Sequence, residues 1–94
     1  MLFIKEEIRD NDNTVIIHVD GTLNKDSLPV MKKVYAYYQF KGDRVIKLNL
    51  ANLIRLSREG LDFLKQIKGK VLFEELPEFL RMRIYDSSND EENI

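Results

Sequence analysis

The chain has no cysteine, which excludes disulfides, thiol nucleophiles and thiolate metal sites together. It has one histidine, His18, so no histidine pair can hold a metal, and no Ser-His-Asp arrangement is visible around it. No apolar run approaches the roughly 20 residues that cross a bilayer as a helix, and direct membrane insertion is not expected. Met1-Leu2-Phe3-Ile4 is followed at once by Lys5-Glu6-Glu7, without the apolar centre of a secretory leader, and a cytoplasmic setting is expected. Neither a Gly-rich phosphate loop nor a Gly-x-Gly-x-x-Gly stretch is present, so no motif asks for a nucleotide and no cofactor is expected. Glu6-Glu7 and Glu74-Glu75 are adjacent pairs in or beside strand-like segments. Their members diverge to opposite faces, which does not suit paired-carboxylate chemistry. No catalytic residue is assigned.

A strong basic surplus is missing too, since the net charge is −1. Residues 86–94, DSSNDEENI, carry four acidic residues and no basic one, and the rest of the chain is only mildly basic. Nucleic-acid-binding domains normally show a strongly basic face, so no nucleic-acid partner is expected. The length suits a single domain over residues 1–85, followed by an acidic, disordered tail that solvates the end.

Strand and helix periodicities alternate through the chain. Leu2 to Ile8 places Leu2, Ile4 and Ile8 on one face and Phe3, Lys5 and Glu7 on the other, as a strand does. Arg9–Asn13 is rich in turn formers, and Thr14–Asp20, TVIIHVD, is a β-branched strand. The two strands read as an antiparallel hairpin, with His18 pointing alongside Ile16 and Asp20 and away from Val15, Ile17 and Val19. Gly21-Thr22-Leu23-Asn24 is expected to leave the sheet. Asp26 or Ser27 can cap the helix that follows, with Pro29 in its first turn. Leu28, Met31, Tyr35 and Tyr38 form its apolar stripe, and Lys41-Gly42-Asp43 ends it.

Arg44–Leu50 is the next strand, and the helix before it predicts a parallel crossover. Ala51 to Leu56 reads as a loop. A second helix runs from Arg58 to Lys68, with Leu61, Phe63, Leu64 and Ile67 inward and Gly69 as its stop. Lys70–Phe73 is a short strand, and Leu76-Pro77-Glu78 opens a last helix with Phe79, Leu80 and Ile84 inward. The order β-β-α-β-α-β-α predicts an α/β fold whose helices cover one face of a four-stranded mixed sheet.

The working surface is expected within Lys47–Leu64, where a strand end passes through a loop into a helix amino end. Ser57 carries two readings. Its hydroxyl can cap the helix by accepting from the N–H of Glu59 or Gly60. Alternatively it accepts a phosphate, which would meet the positive helix end and Arg58. Arg58 opposes the helix dipole and Glu59 suits it. Arg55 and Arg58 together offer a basic surface to an acidic partner.

These stretches, in this order, resemble the STAS domain, the family named for sulfate transporters and anti-sigma factor antagonists. Gly21-Thr22-Leu23-Asn24 is similar to that family's Gly-x-Leu-Asp. Asn49-Leu50-Ala51-Asn52-Leu53 leading to Ser57-Arg58-Glu59-Gly60-Leu61 is similar to its Asp-Leu-Ser-x-Val followed by Asp-Ser-Ser-Gly-Leu. Leu72–Leu80, LFEELPEFL, resembles its last strand and helix, and the likeness spans residues 3–84.

The resemblance implies a non-catalytic regulatory domain of bacterial-type signalling that binds an anti-sigma kinase-like protein. A cytosolic accessory subunit of an ABC-type lipid transporter is the alternative it implies. The partner-binding residues are then Thr22, Asn24, Arg55, Ser57, Arg58 and Glu59. In regulatory members a kinase phosphorylates a serine of the Asp-Ser-Ser-Gly loop. Laid over this chain, Ser57 falls on the aspartate, Arg58 on the phosphorylated serine and Glu59 on the next serine, while Asn24 and Asn49 replace aspartates. The usual phosphoserine switch is therefore expected to be missing, with fixed charge in its place. Two further readings stay open: a small enzyme or ligand carrier using the groove above the sheet, and a homodimer through the open sheet face or an edge strand.

Overall fold

The computed structural model describes residues 1–85, and the acidic tail over 86–94 lies outside the described residues. Two alternating runs start the sheet. β1 (Leu2–Arg9) and β2 (Thr14–Leu23) pair antiparallel across a turn in which Asn13 takes a φ of 58°. After α1 (Leu28–Lys41) the chain crosses over, and β3 (Val45–Asn49) lies parallel to β2. β4 (Leu53–Leu56) lies parallel to the far end of β2, α2 (Arg58–Ile67) follows, and β5 (Leu72–Glu75) lies parallel to β3. α3 (Glu78–Tyr85) closes the described chain.

The mixed α/β sheet and the strand and helix order are those expected, with one strand more. Among the described residues the sheet has five strands, in the order β1-β2-β3-β5 with β4 on β2. The added strand comes from the segment read as a loop. β2 also stays in the sheet through Leu23 instead of leaving it at Gly21, because Met1 and β4 supply partners for its backbone there.

All three helices lie on one face. Val15, Ile17 and Val19 of β2 and Leu48 of β3 are fully buried there against Met31, Leu64, Leu80 and Ile84. Burying each such side chain contributes about 1.5–3 kcal/mol, so this layer carries most of the stability. Phe79 is the exception to the expected inward set, being 57% exposed while Leu80 and Ile84 pack. α2 ends at Ile67 and is capped by Lys68 in a right-handed conformation, so Gly69 is not the left-handed stop its position suggested.

On the other face Ile16 is also fully buried, although no helix among the described residues covers it. Glu7 and Lys47 flank it across the sheet. Glu7 is gripped by His18 Nε2 and Arg9 Nε, each at 3.0 Å. Arg9 also reaches Glu74 at 3.4 Å, and Glu74 accepts from Asn49 Nδ2 at 3.0 Å. The hydrogen bond from His18, then that from Arg9, holds the Glu7 carboxyl below the usual carboxylate range.

Tyr38 of α1 is buried against the core, and its hydroxyl donates to Glu6 of β1. Burial, then Glu6, pushes the phenol up to about 12 from an ordinary value of 10.0. Between those values the folded protein keeps a proton that the unfolded chain has released. The stabilisation is therefore complete below pH 10.0 and is lost as pH rises to about 12. A Tyr38→Phe variant should lose stability less steeply across that window in urea unfolding at stepped pH. Equal slopes for the two proteins would remove Tyr38 as the source.

Candidate functional site

At its far end β2 is bounded on both edges. Thr22 N–H donates to the Met1 carbonyl at 2.9 Å, and Gly21 N–H to the Asn52 carbonyl at 3.0 Å. Gly21 has a φ of 92°, a conformation that side-chain-bearing residues rarely adopt, and a Cβ there would lie 2.2 Å from the Met1 oxygen. From this anchor β4 runs beside β2 with Leu53 opposite Gly21, Arg55 opposite Thr22 and Leu56 opposite Leu23. β4 therefore spends two residues where β2 spends one. Ile54 is the extra residue of the bulge and is 75% exposed. Bulges of this kind re-aim side chains near working surfaces.

Asn24 starts the way into α1. Its Oδ1 accepts from Ser27 N–H at 3.0 Å, and Ser27 Oγ accepts from Asn24 N–H at 2.9 Å. Leu28 N–H already donates to the Asn24 carbonyl at 2.8 Å. This reciprocal pair has the pattern of a capping box, one turn before the helix proper. Ser27 makes no side-chain cap of its own at α1, so the expected capping role passes to Asn24.

Ser57 caps α2. Its backbone is extended, its Oγ accepts from Gly60 N–H at 3.1 Å, and its carbonyl accepts from Leu61 N–H at 2.9 Å. Its own N–H donates to the Leu23 carbonyl at 3.0 Å, which ties the helix start to β2. Gly60 is buried against that same strand, where an added Cβ would meet the Leu23 oxygen at 2.7 Å. The scaffold thus uses the backbone and small side chains of this junction. What it leaves to solvent is Arg55 at the end of β4 and Arg58 and Glu59 in the first turn of α2.

The structure brings Thr22 and Arg55 side by side, with only Leu56 and Ser57 between Arg55 and Arg58 in the chain. Leu56 packs against the core, so strand alternation turns Arg55 away from the helical layer. The two arginines flank the junction. Glu59 also borders a cleft of about 400 Å³ between α1 and α2 that Leu28, Lys32, Asp62, Phe63 and Gln66 line. Sequence reasoning singled out neither Ile54 nor this cleft. No periodic signal marks a bulge, and the cleft joins residues from two separate helices.

The junction presents fixed charge of both signs beside an exposed aliphatic side chain, which suits recognition of another surface. Among the described residues no group of three His, Asp or Glu side chains is placed to hold a metal ion, and no helix is long and apolar enough to cross a membrane.

No family model matches the chain, and no curated protein sequence matches it. Among solved structures it is similar to an anti-sigma factor antagonist from Mycobacterium paratuberculosis. The two are 17% identical over 96% of this chain and 82% of that one, with a TM-score of 0.68. The chain therefore has the fold of an anti-sigma factor antagonist, the STAS-type fold that its motifs resemble.

Proposed function

We propose that this chain is a non-catalytic, cytoplasmic regulatory domain that binds a protein partner through the junction of β4 and α2. One observation carries the reading. Backbone bonds and the Ser57 cap satisfy the junction internally, so Ile54, Arg55, Arg58 and Glu59 are exposed without a structural task that requires them. Thr22 and Asn24 border the same surface. By likeness of fold the partner is an anti-sigma kinase-like protein. Arg58 stands where the resembled family carries its phosphoserine, so the contact would be constitutive rather than switched. Ser57, with its hydroxyl engaged at Gly60, serves this reading as a cap and not as a phosphoacceptor.

Affinity capture from the native cytosol tests this with three proteins: wild type, Ser57→Ala, and the double variant Arg55→Glu/Arg58→Glu. Wild type and Ser57→Ala should recover the same soluble kinase-like protein, although Ser57→Ala loses about 1 kcal/mol of stability with its cap. The charge reversal should cut recovery at least tenfold while circular dichroism shows an intact fold. Equal recovery by all three proteins would remove the junction as the binding surface. Recovery of membrane-associated ATPase and permease subunits would instead identify the transporter-accessory role.

A further inference from the structure

We propose that two copies of this chain pair antiparallel through β1, forming a two-fold symmetric dimer centred on Glu6. Among the described residues β1 is an edge strand of eight residues whose one ladder is with β2. The opposite edge, β5, has only four residues. A long free edge is a template for another strand, and a symmetric dimer requires the edge to complement itself.

The sequence of β1 does so in one register. Opposed residues in an antiparallel pair share a face. Centred on Glu6, the pairing sets Lys5 against Glu7 twice, Ile4 against Ile8 twice and Phe3 against Arg9 twice. Centred one residue earlier, it would oppose Lys5 to Lys5, Phe3 to Glu7 and Ile4 to Glu6. Each register places one like-charge pair on its axis, so the two Lys5–Glu7 pairs and the two Ile4–Ile8 pairs are what select the first. The two Glu6 side chains that meet at the axis are each already hydrogen-bonded to Tyr38.

α1 supplies the second layer. It lies above β1, as the Tyr38 bond to Glu6 shows, and besides its buried stripe it carries exposed Val30, Tyr37 and Phe40. A helix that is apolar on more than one side signals a missing neighbour. A cleft of about 400 Å³ lined by Glu6, Lys33, Val34, Tyr37 and Tyr38 opens between α1 and β1, and Ile8 is 45% exposed at the same edge. β4 pairs elsewhere, at the far end of β2, so the dimer leaves both β4–α2 junctions open and is bivalent.

Analytical ultracentrifugation over a concentration series should give a monomer–dimer equilibrium for wild type. Lys5→Glu and Glu7→Lys should each weaken self-association by about tenfold or more, since each replaces two opposite-charge pairs with two like-charge pairs. Mixed in equal amounts, these two variants should form a heterodimer, because both pairs between positions 5 and 7 are again Glu against Lys. Glu7 contacts His18 and Arg9, so a readout independent of its replacement is added. In this cysteine-free chain, Glu6→Cys should oxidise to a covalent dimer far faster than Phe3→Cys. A wild type that stays monomeric throughout, a mixture that does not associate, or equal cross-linking of the two cysteine variants would overturn the proposal.

Discussion

Replacing Gly21 by alanine should lower the stability of this protein by about 3 kcal/mol. A non-glycine residue in a rarely populated backbone region costs about 1–3 kcal/mol, and Gly21 sits at a φ of 92°. The new Cβ would also stand 2.2 Å from the Met1 carbonyl oxygen. To escape it, the start of β1 must move away and give up the bond between that carbonyl and Thr22 N–H, worth about 1 kcal/mol. In a domain of this size such a loss lowers Tm by more than about 10 °C. Thermal and urea unfolding of Gly21→Ala measure it directly. A change within about 0.5 kcal/mol would mean that Met1 and Gly21 do not hold each other as described.

Gly60→Val is expected to cost a similar amount, about 3 kcal/mol, through packing rather than backbone strain. Glycine inside a helix usually costs up to about 1 kcal/mol relative to alanine, so enlarging it would ordinarily help. Here the first added carbon meets the Leu23 oxygen at 2.7 Å and Leu56 Cδ1 at 2.9 Å. The helix start would have to lift off β2, breaking the bond from Ser57 N–H to the Leu23 carbonyl. Stability and partner capture should therefore fall together. Gly69→Ala is the control, because a Cβ there meets no atom within 4 Å, and it should change stability by less than about 0.5 kcal/mol. Equal effects at the two glycines would show that close approach at Gly60 is not what matters.

Most of this architecture was legible in the sequence because periodicity is a local signal. Val15, Ile17 and Val19 alternate onto one face, and Leu61, Leu64 and Ile67 recur at helical spacing; all six are buried as read. β4 was not legible, and the reason is physical. It has four residues, and the bulge at Ile54 leaves Leu53 and Leu56 inward with two exposed residues between them. That spacing follows neither the strand nor the helix period. β5 begins at Leu72, two residues beyond the expected start, because Lys70 and Val71 belong to the approach rather than the ladder. Phe79 is apolar enough to be read as core, but α3 is short and buries only Leu80 and Ile84.

At the site the readable part was again the local part. Ser57 declared itself as a cap because capping needs a hydroxyl at one position relative to the helix, and the bond to Gly60 is there. Asn24 was assigned to the partner surface, and its side-chain Oδ1 is engaged by Ser27 N–H. The Asn-x-x-Ser spacing was the available signal for that engagement. The exposure of Ile54 depends on a register between segments thirty residues apart, which no window of sequence contains.

The bulge and the cap together divide the junction into residues that cannot change and residues that can. Gly21, Ser57 and Gly60 are constrained by backbone geometry, whereas Ile54, Arg55, Arg58 and Glu59 project from a frame that does not depend on their identity. On the proposed function, rewriting these four positions would redirect the domain to a new target with little penalty to folding.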